Sequence, residues 1–268
     1  MNLRKEIDKT IALGYNEANA ESKLCQDIVL KAIADSNMVK NATVKGGVVM
    51  RSISGNARRA TQDFDLDFIR YSISDESIRI FVEKLNCVDG LNIYIKGDIQ
   101  ELKHQDYKGK RITLYISDDE TTLSLKMDIG VHNDLSINQE EYGFDIGFQD
   151  DVVSLLVNSR AQMIAEKLKS LVRFGTQSTR YKDIFDIYYL SLNVDEEQLK
   201  RCIQKYIFDD STLQNVSSME DITSRVERVF KNRSFLKLVN KSEKNWLDIP
   251  IEEVFEKNIE FLKRIKLR

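Results

Sequence analysis

The sequence predicts an α+β (α/β) fold: a mixed sheet with flanking helices, followed by an all-helical domain. Two observations predict it. Up to about residue 150, several short runs alternate apolar and polar residues, which is typical of strands. From Asp151 onward, apolar residues recur at helical spacing. Because 268 residues suffice for two domains, we expect one at 1–150 and a helical one at 151–268.

The elements of the first half follow from these periodicities and from turn residues. Ser74 is a good N-cap residue, and two acidic residues follow it, so it should begin a helix. The predicted elements are two helices within 4–36, a strand at 42–45, a helix at 48–54, a strand at 63–68, a helix at 74–88, and strands at 91–99, 111–117 and 123–132.

The second half is expected to be helical throughout. An apolar run at 152–157 opens it, and Gly175 is a typical residue to end the first long helix. The predicted helices are 159–174, 179–192, 195–208, 218–232 and 251–267.

Composition excludes several classes of protein. Residues 1–150 carry 19 Lys+Arg against 25 Asp+Glu, and residues 151–268 carry 21 against 18. The basic half suits a polyanionic partner, although a solvated helical surface explains it equally well. Two histidines argue against His-dependent zinc sites and most Ser–His mechanisms. Three dispersed cysteines, with no apolar leader or membrane-length apolar run, favour the cytoplasm and no membrane association.

The stretch Lys45–Phe68 carries the first chemical signal. Its last six residues alternate strictly, so Asp63, Asp65 and Asp67 share one strand face and three apolar residues share the other. Carboxylates on one face repel each other, and a divalent cation bound by oxygen ligands would offset that repulsion.

A glycine pair precedes this strand. Gly46 and Gly47 lie between a short strand and a helix, where a backbone without side chains can approach a phosphate closely. The free N–H groups of the helix N-terminus favour an anion. A phosphate cradle followed by a metal-binding strand indicates chemistry on a nucleoside triphosphate.

A second strand repeats the acidic pattern. In 123–132, Asp128 lies on the polar face and Ile129 on the apolar one. Alone, Asp128 would be read as a solvent-facing residue. If the two strands are neighbours, about 5 Å apart, Asp128 completes a cluster of three carboxylates with Asp63 and Asp65.

Charged residues of the helical half allow two interpretations. Lys167 lies beside the apolar stripe of its helix, where a lysine usually extends to water. The charged residues of the next helix include Arg180, Lys182, Asp183 and Asp186, which would form surface ion pairs of small energetic value. Alternatively, Lys167 reaches phosphates across an interdomain cleft, and the aspartates orient the basic groups.

These residues resemble a known family. Gly46-Gly47 with Arg59-x-Thr61-x-Asp63-x-Asp65 is similar to the nucleotidyltransferase signature, and Lys126-x-Asp128-Ile129 resembles the strand with the third carboxylate. Residues 165–168 and 180–186 are similar to downstream motifs of the AbiEii/AbiGii toxins of type IV toxin–antitoxin (abortive infection) systems. Val48 stands where many relatives have Ser or Thr. Asp67 is interpreted as a surface residue at the end of its strand.

The resemblance implies a nucleotidyltransferase fold and transfer of a nucleoside monophosphate from an NTP, with Mg²⁺, two ions in all, as cofactor. Asp63, Asp65 and Asp128 would be both catalytic residues and metal ligands. The residues implied for nucleotide binding are Gly46, Gly47, Arg59, Lys126, Lys167, Arg180 and Asp183.

The acceptor and partners stay open at this point. The resemblance suggests an RNA or tRNA acceptor and a separately encoded antitoxin, while a protein hydroxyl or an antibiotic such as an aminoglycoside would also serve as acceptor. A metal-dependent nuclease is an alternative, but its lysine usually follows an acid by two residues, whereas Lys126 precedes Asp128. A binding-only regulator is a further alternative, which the intact acidic trio disfavours.

Overall fold

The computed structural model describes residues 1–102, 109–149, 151–240 and 243–267. The chain forms two compact units, Met1–Asn158 and Ser159–Arg268. The first combines a mixed sheet with helices, and the described residues of the second are helical or irregular. The predicted fold class is therefore confirmed.

The first unit is built on one mixed sheet. Its strands in the described residues are β1 (Ala42–Lys45), β2 (Asp63–Phe68), β3 (Asn92–Ile95), β4 (Gln100–Glu101), β5 (Lys110–Ser117), β6 (Thr122–Val131), β7 (Glu140–Ile146) and β8 (Asp151–Val157). They lie in the order β3-β5-β6-β2-β1-β8-β7, and β4 pairs with β5. The β2–β6 and β1–β8 pairs are parallel, and the other pairs are antiparallel.

The helices of this unit are α1 (Leu3–Ala12), α2 (Glu17–Asp35), α3 (Gly46–Ser54) and α4 (Asp75–Leu85). Ser74 caps α4 as predicted, since its hydroxyl accepts a hydrogen bond from the backbone N–H of Ser77. The helix α2 contacts β6, β7 and β8. Asp75 and Glu76 lie in the first turn of α4, where their negative charges interact favourably with the positive end of the helix dipole.

The apolar side of β2 anchors the acidic side. Phe64, Leu66 and Phe68 are fully buried, as the alternation predicted. Each such side chain contributes about 1.5–3 kcal/mol when it leaves water. The backbone that carries the aspartates is therefore held in place by the core.

The sheet extends further along the chain than the sequence indicated. Residues 151–157 were expected to open the helical half, but they form β8, between β1 and β7. Their alternation continues: Val153, Leu155 and Val157 are buried, whereas Val152 is 60% exposed. The unit boundary accordingly lies after Asn158. The strand β7 was missed because it is acidic and contains Gly143.

The second unit packs helices around its own core. Its described helices are α5 (Arg160–Phe174), α6 (Lys182–Ser191), α7 (Glu196–Ile203), α8 (Met219–Phe230), α9 (Arg233–Val239) and α10 (Ile251–Arg264). The helix α5 contacts α6, α7 and α8, and α10 contacts α6 and α8. Sequence reasoning missed α9. In the described ranges, none of the helices combines the length and apolar character that spanning a bilayer requires.

Candidate active site

The two acidic strands are neighbours, as the argument from sequence required. The strands β2 and β6 are parallel, and Asp65 and Asp128 are direct Cα partners. Asp63 lies opposite Lys126 in the same register. Because paired residues share a sheet face and adjacent strands lie about 4.8 Å apart, the carboxylates of both strands occupy one surface.

Two further strands place cations beside these carboxylates. Lys45 of β1 pairs with Asp65, and Arg111 of β5 pairs with Asp128. Four adjacent strands therefore carry Arg111, Asp128, Asp65 and Lys45 side by side, and we call these residues the charged row. Its signs run positive, negative, negative, positive, so the row balances its own charge.

Arg111 makes a bidentate contact within the charged row. Its Nε donates to Asp128 Oδ1 at 2.6 Å, and its Nη2 donates to Asp128 Oδ2 at 2.7 Å. The hydrogen bond to Asp128 is the main cause that raises the pKa of Arg111, partial burial opposes it, and the charges of Asp63 and Asp65 add to it. The Arg111 guanidinium therefore senses all three predicted site carboxylates. Sequence reasoning did not single out Arg111.

Asp67 is not the surface residue that was expected. Only 4% of it is exposed, and one of its carboxylate oxygens lies 2.6 Å from Lys45 Nζ. The strand does not end at the surface there, because β1 and β6 cover it on both sides: Asp67 pairs with Thr43 and with Gly130. Asp67 thus binds a cation supplied by the protein.

The glycine pair is required by contacts within the protein. Gly46 has a φ of +69°, and a Cβ there would lie 2.1 Å from Asp65 Oδ2. A Cβ on Gly47 would lie 2.6 Å from Thr61 Oγ1. Both glycines open α3, so the first turn of this helix and its N–H groups lie directly against the acidic strand.

A buried polar network supports the beginning of β2. The Gln26 side-chain amide donates to the backbone carbonyls of Thr61 and Asp63, at 2.9 and 3.3 Å. Arg51 of α3 donates to Gln26 and to Asp27, and all three residues are buried. The network joins α2, α3 and the backbone before the aspartates. The sequence offered no signal for it.

The other predicted nucleotide-binding residues of this unit have different environments. Arg59 is 5% exposed and ends a short 3₁₀ turn, Ala57–Arg59, that precedes β2. Lys126 is exposed beside Asp63. Arg59 is close to the acidic face in sequence, and Lys126 is next to Asp63 in the sheet register.

In the second unit, Lys167 does not extend to water. It is 8% exposed, and its Nζ donates to Asp183 Oδ1 at 2.6 Å and to Asp186 Oδ2 at 2.8 Å. The Trp246 indole N–H donates to the other Asp186 oxygen at 3.0 Å. The expected surface ion pairs are therefore a buried cluster that joins α5 and α6. Arg180, which precedes α6, is exposed.

The carboxylates do not form a ready-made metal centre. Among residues 1–102, 109–149, 151–240 and 243–267, no three or more His, Cys, Asp and Glu side chains form a group that could hold a metal ion. At Asp128, Arg111 engages both carboxylate oxygens. The donor atoms nevertheless suit a hard cation, because carboxylate oxygens are its preferred ligands.

A mixed sheet that carries paired carboxylates beside a Gly-Gly helix N-terminus has the architecture of a nucleotidyltransferase. The structure of a Helicobacter pylori protein described as a nucleotidyltransferase is similar at a TM-score of 0.55 and 16% identity, over 93% of this chain and 95% of that chain. The structure of JHP933 from Helicobacter pylori is similar at a TM-score of 0.53 and 17% identity, over 93% of this chain and 92% of that chain. These likenesses confirm the fold.

The family follows from the sequence match. Residues 28–257 match the family described as nucleotidyl transferase AbiEii toxin, type IV TA system. The chain belongs to this family, so the resemblance drawn from its motifs is confirmed, and with it the expectation of a transferase. No match was found among curated proteins.

Proposed function

We propose that this protein transfers a nucleoside monophosphate from an NTP to an acceptor hydroxyl with the help of Mg²⁺, releasing pyrophosphate, and that RNA, such as a tRNA end, is the acceptor. The observation that carries the proposal is the direct pairing of Asp65 with Asp128 beside the first turn of α3. It brings carboxylates and the N–H groups of a helix N-terminus to one surface, which is the arrangement that the proposed chemistry would need.

The first turn of α3 would hold the triphosphate. The first N–H groups of a helix have no partner within it, and the helix dipole adds partial positive charge there. Val48 is fully buried and has no hydroxyl, so contacts at this position would come from the backbone. Lys126 and Arg59 would add positive charge near the phosphates.

The carboxylates would act as ligands and as a base. Asp63 and Asp65 would hold the cations against the triphosphate, and Asp128 would bind one cation and accept the proton of the attacking hydroxyl. Bound Mg²⁺ would supply charge neutralisation for the attacking and leaving oxygens in an in-line displacement. Residue class and register fit this assignment, while Asp128 would first have to exchange its bonds to Arg111.

The helical unit would also contribute nucleotide ligands. Lys167 would stabilise triphosphate charge, with Asp183 and Arg180 beside it in contact or in sequence. The support for this role is the similarity of residues 165–168 and 180–186 to motifs of the family. Lys167 is held by two carboxylates, one of which also accepts from Trp246, so it would have to exchange at least one of these bonds to bind a phosphate.

RNA as the acceptor, and a separate antitoxin as a partner, rest on membership of a toxin family. The excess of basic residues in 151–268 is compatible with a polyanion. A toxin that modifies RNA ends would arrest translation. An antitoxin would oppose it either by binding this chain or by controlling its synthesis.

The test is incorporation of label from each α-³²P NTP into total RNA by the purified protein, with Mg²⁺ or with EDTA. We expect labelled RNA with Mg²⁺ from the wild type and none from Asp65→Ala. The exposed Asp145 of β7 offers a matched control, because Asp145→Ala removes the same charge elsewhere in the sheet. Shortened RNA would instead identify a nuclease. Label on protein alone would contradict the RNA acceptor.

A further inference from the structure

We infer that Arg111 competes with the divalent cation for Asp128, so that metal binding at this carboxylate requires the guanidinium to move away. The inference rests on the proposed function in one respect only: it takes Asp128 as a metal ligand. It adds a residue that the sequence motifs do not contain, and it assigns that residue a measurable effect on cation affinity.

Arg111 occupies the carboxylate oxygens of Asp128 that a cation would need. The two nitrogens of Arg111 bind the two oxygens of Asp128 in parallel, at 2.6 and 2.7 Å. A bidentate arginine–carboxylate pair is among the strongest side-chain hydrogen-bonded contacts. A cation binds carboxylate oxygens at about 2.0–2.1 Å for Mg²⁺, so it would need oxygen lone pairs that the guanidinium now occupies.

The positive charge of Arg111 also opposes a cation at Asp128. A divalent cation and a guanidinium on the same carboxylate would repel each other, and an arginine cannot relieve this by losing its proton. Arg111 lies at one end of the charged row, next to Asp128 and followed by Asp65, so its charge offsets the repulsion between these carboxylates. The same neutralisation that stabilises the metal-free protein weakens the attraction for a cation.

The Arg111 side chain is able to move away from Asp128. Its side chain is 40% exposed, whereas that of Asp128 is 15% exposed. A guanidinium that turns away can regain water without disturbing the core. Asp128 would stay in place because its strand is paired on both sides, with β2 and with β5.

The experiment measures Mn²⁺ affinity of the full chain without nucleotide, from the electron paramagnetic resonance signal of free Mn²⁺. We expect Arg111→Gln to bind Mn²⁺ roughly tenfold more tightly than the wild type, which corresponds to about 1.4 kcal/mol. Lys110→Gln is the matched control: it removes the same charge from the neighbouring residue, which pairs with Asp75 and Glu101 instead. Its affinity should equal that of the wild type.

Loss of a positive charge could raise affinity without direct competition, and a double variant separates the two. If Arg111 acts through Asp128, Arg111→Gln should no longer raise Mn²⁺ affinity when it is combined with Asp128→Asn. The double variant should then bind Mn²⁺ as Asp128→Asn alone does. A gain that persists in the double variant, or equal affinities of Arg111→Gln and wild type, would overturn the inference. Circular dichroism and thermal melting check that each variant is folded.

The outcomes also distinguish this inference from the proposed function. If Arg111→Gln leaves Mn²⁺ affinity unchanged while Asp65→Ala abolishes binding, the inference fails and the metal site stands. If wild type and variants all fail to bind Mn²⁺, and the wild type transfers no nucleotide, both fail together.

Discussion

The close approach of Gly46 to Asp65 yields a prediction about position rather than charge. In Gly46→Ala, the new Cβ would lie 2.1 Å from Asp65 Oδ2 and 2.8 Å from its Cγ. Ordinary contacts begin at 3.4 Å. The Asp65 carboxylate would therefore have to retreat by roughly 1 Å, a misplacement that can cost about 100-fold in rate.

Gly55, the residue that caps the C-terminal end of α3, separates the effect of backbone strain from that of displacing Asp65. Gly46 and Gly55 have φ angles of +69° and +61°, so an alanine at either position is strained. A left-handed alanine costs about 1–2 kcal/mol. A Cβ on Gly55, however, would meet nothing within 4 Å. Gly55→Ala should therefore lower the free energy of unfolding without moving Asp65.

The assay compares nucleotide incorporation with urea denaturation for both variants. We expect Gly46→Ala to lose about 100-fold in activity, and Gly55→Ala to retain activity near that of the wild type while losing about 1–2 kcal/mol of stability. If Gly46→Ala stays within threefold of Gly55→Ala in activity, the position of Asp65 does not limit the reaction and the reasoning is wrong.

Three further expectations follow from charged groups. Asp65→Ala should lower nucleotide-transfer activity by more than the roughly 10–100-fold that loss of an outer-shell metal partner costs. It should also abolish the melting shift produced by Mg²⁺ and NTP, whereas Asp145→Ala should keep both the activity and the shift. An unchanged shift in Asp65→Ala would contradict its metal role. Lys167→Met strands two buried carboxylates and should cost about 3–5 kcal/mol in urea denaturation, with weaker NTP binding in equilibrium titration, while exposed Lys263→Met should cost under about 1 kcal/mol; unaffected NTP affinity in Lys167→Met would exclude that lysine from the site. Burial raises the pKa of Asp210, but hydrogen bonds from a threonine and a lysine outweigh it and hold that pKa at about 2. Its stabilising contribution is thus present above the unfolded value of 3.8 and is lost as pH falls through about 2, and Asp210→Asn should remove this part of the acid sensitivity in melts between pH 5 and 2.

The local parts of the site could be predicted because strand alternation is a local property. The pattern from Asp63 to Phe68 fixes which side chains share a face, whatever the strand pairs with. Arg111 could have been found in the same way. The strands β5 and β6 form a hairpin around the turn at 118–121, and counting equally far back and forward from that turn pairs Arg111 with Asp128.

Burial and long-range pairing could not be predicted in this way. One interpretation placed Lys167 at the surface because its helix position lies beside the apolar stripe, yet Asp183 and Asp186 bind it in the interior of the unit, and Trp246 donates to Asp186. The parallel pairing of β8 with β1 joins segments more than a hundred residues apart in the chain. Neither follows from the spacing of residues within one element.

The structure further distinguishes carboxylates that the sequence presents as equivalent. Asp63 is exposed, Asp65 lies against Gly46, Asp67 is buried with Lys45, and Asp128 is held by Arg111. A cation that enters this surface would displace a lysine whose side chain is 17% exposed at Asp67, but a guanidinium whose side chain is 40% exposed at Asp128. Because the second exchange would return its arginine to water, we propose Asp128 rather than Asp67 as the third ligand, with Asp67 as the counter-charge of Lys45.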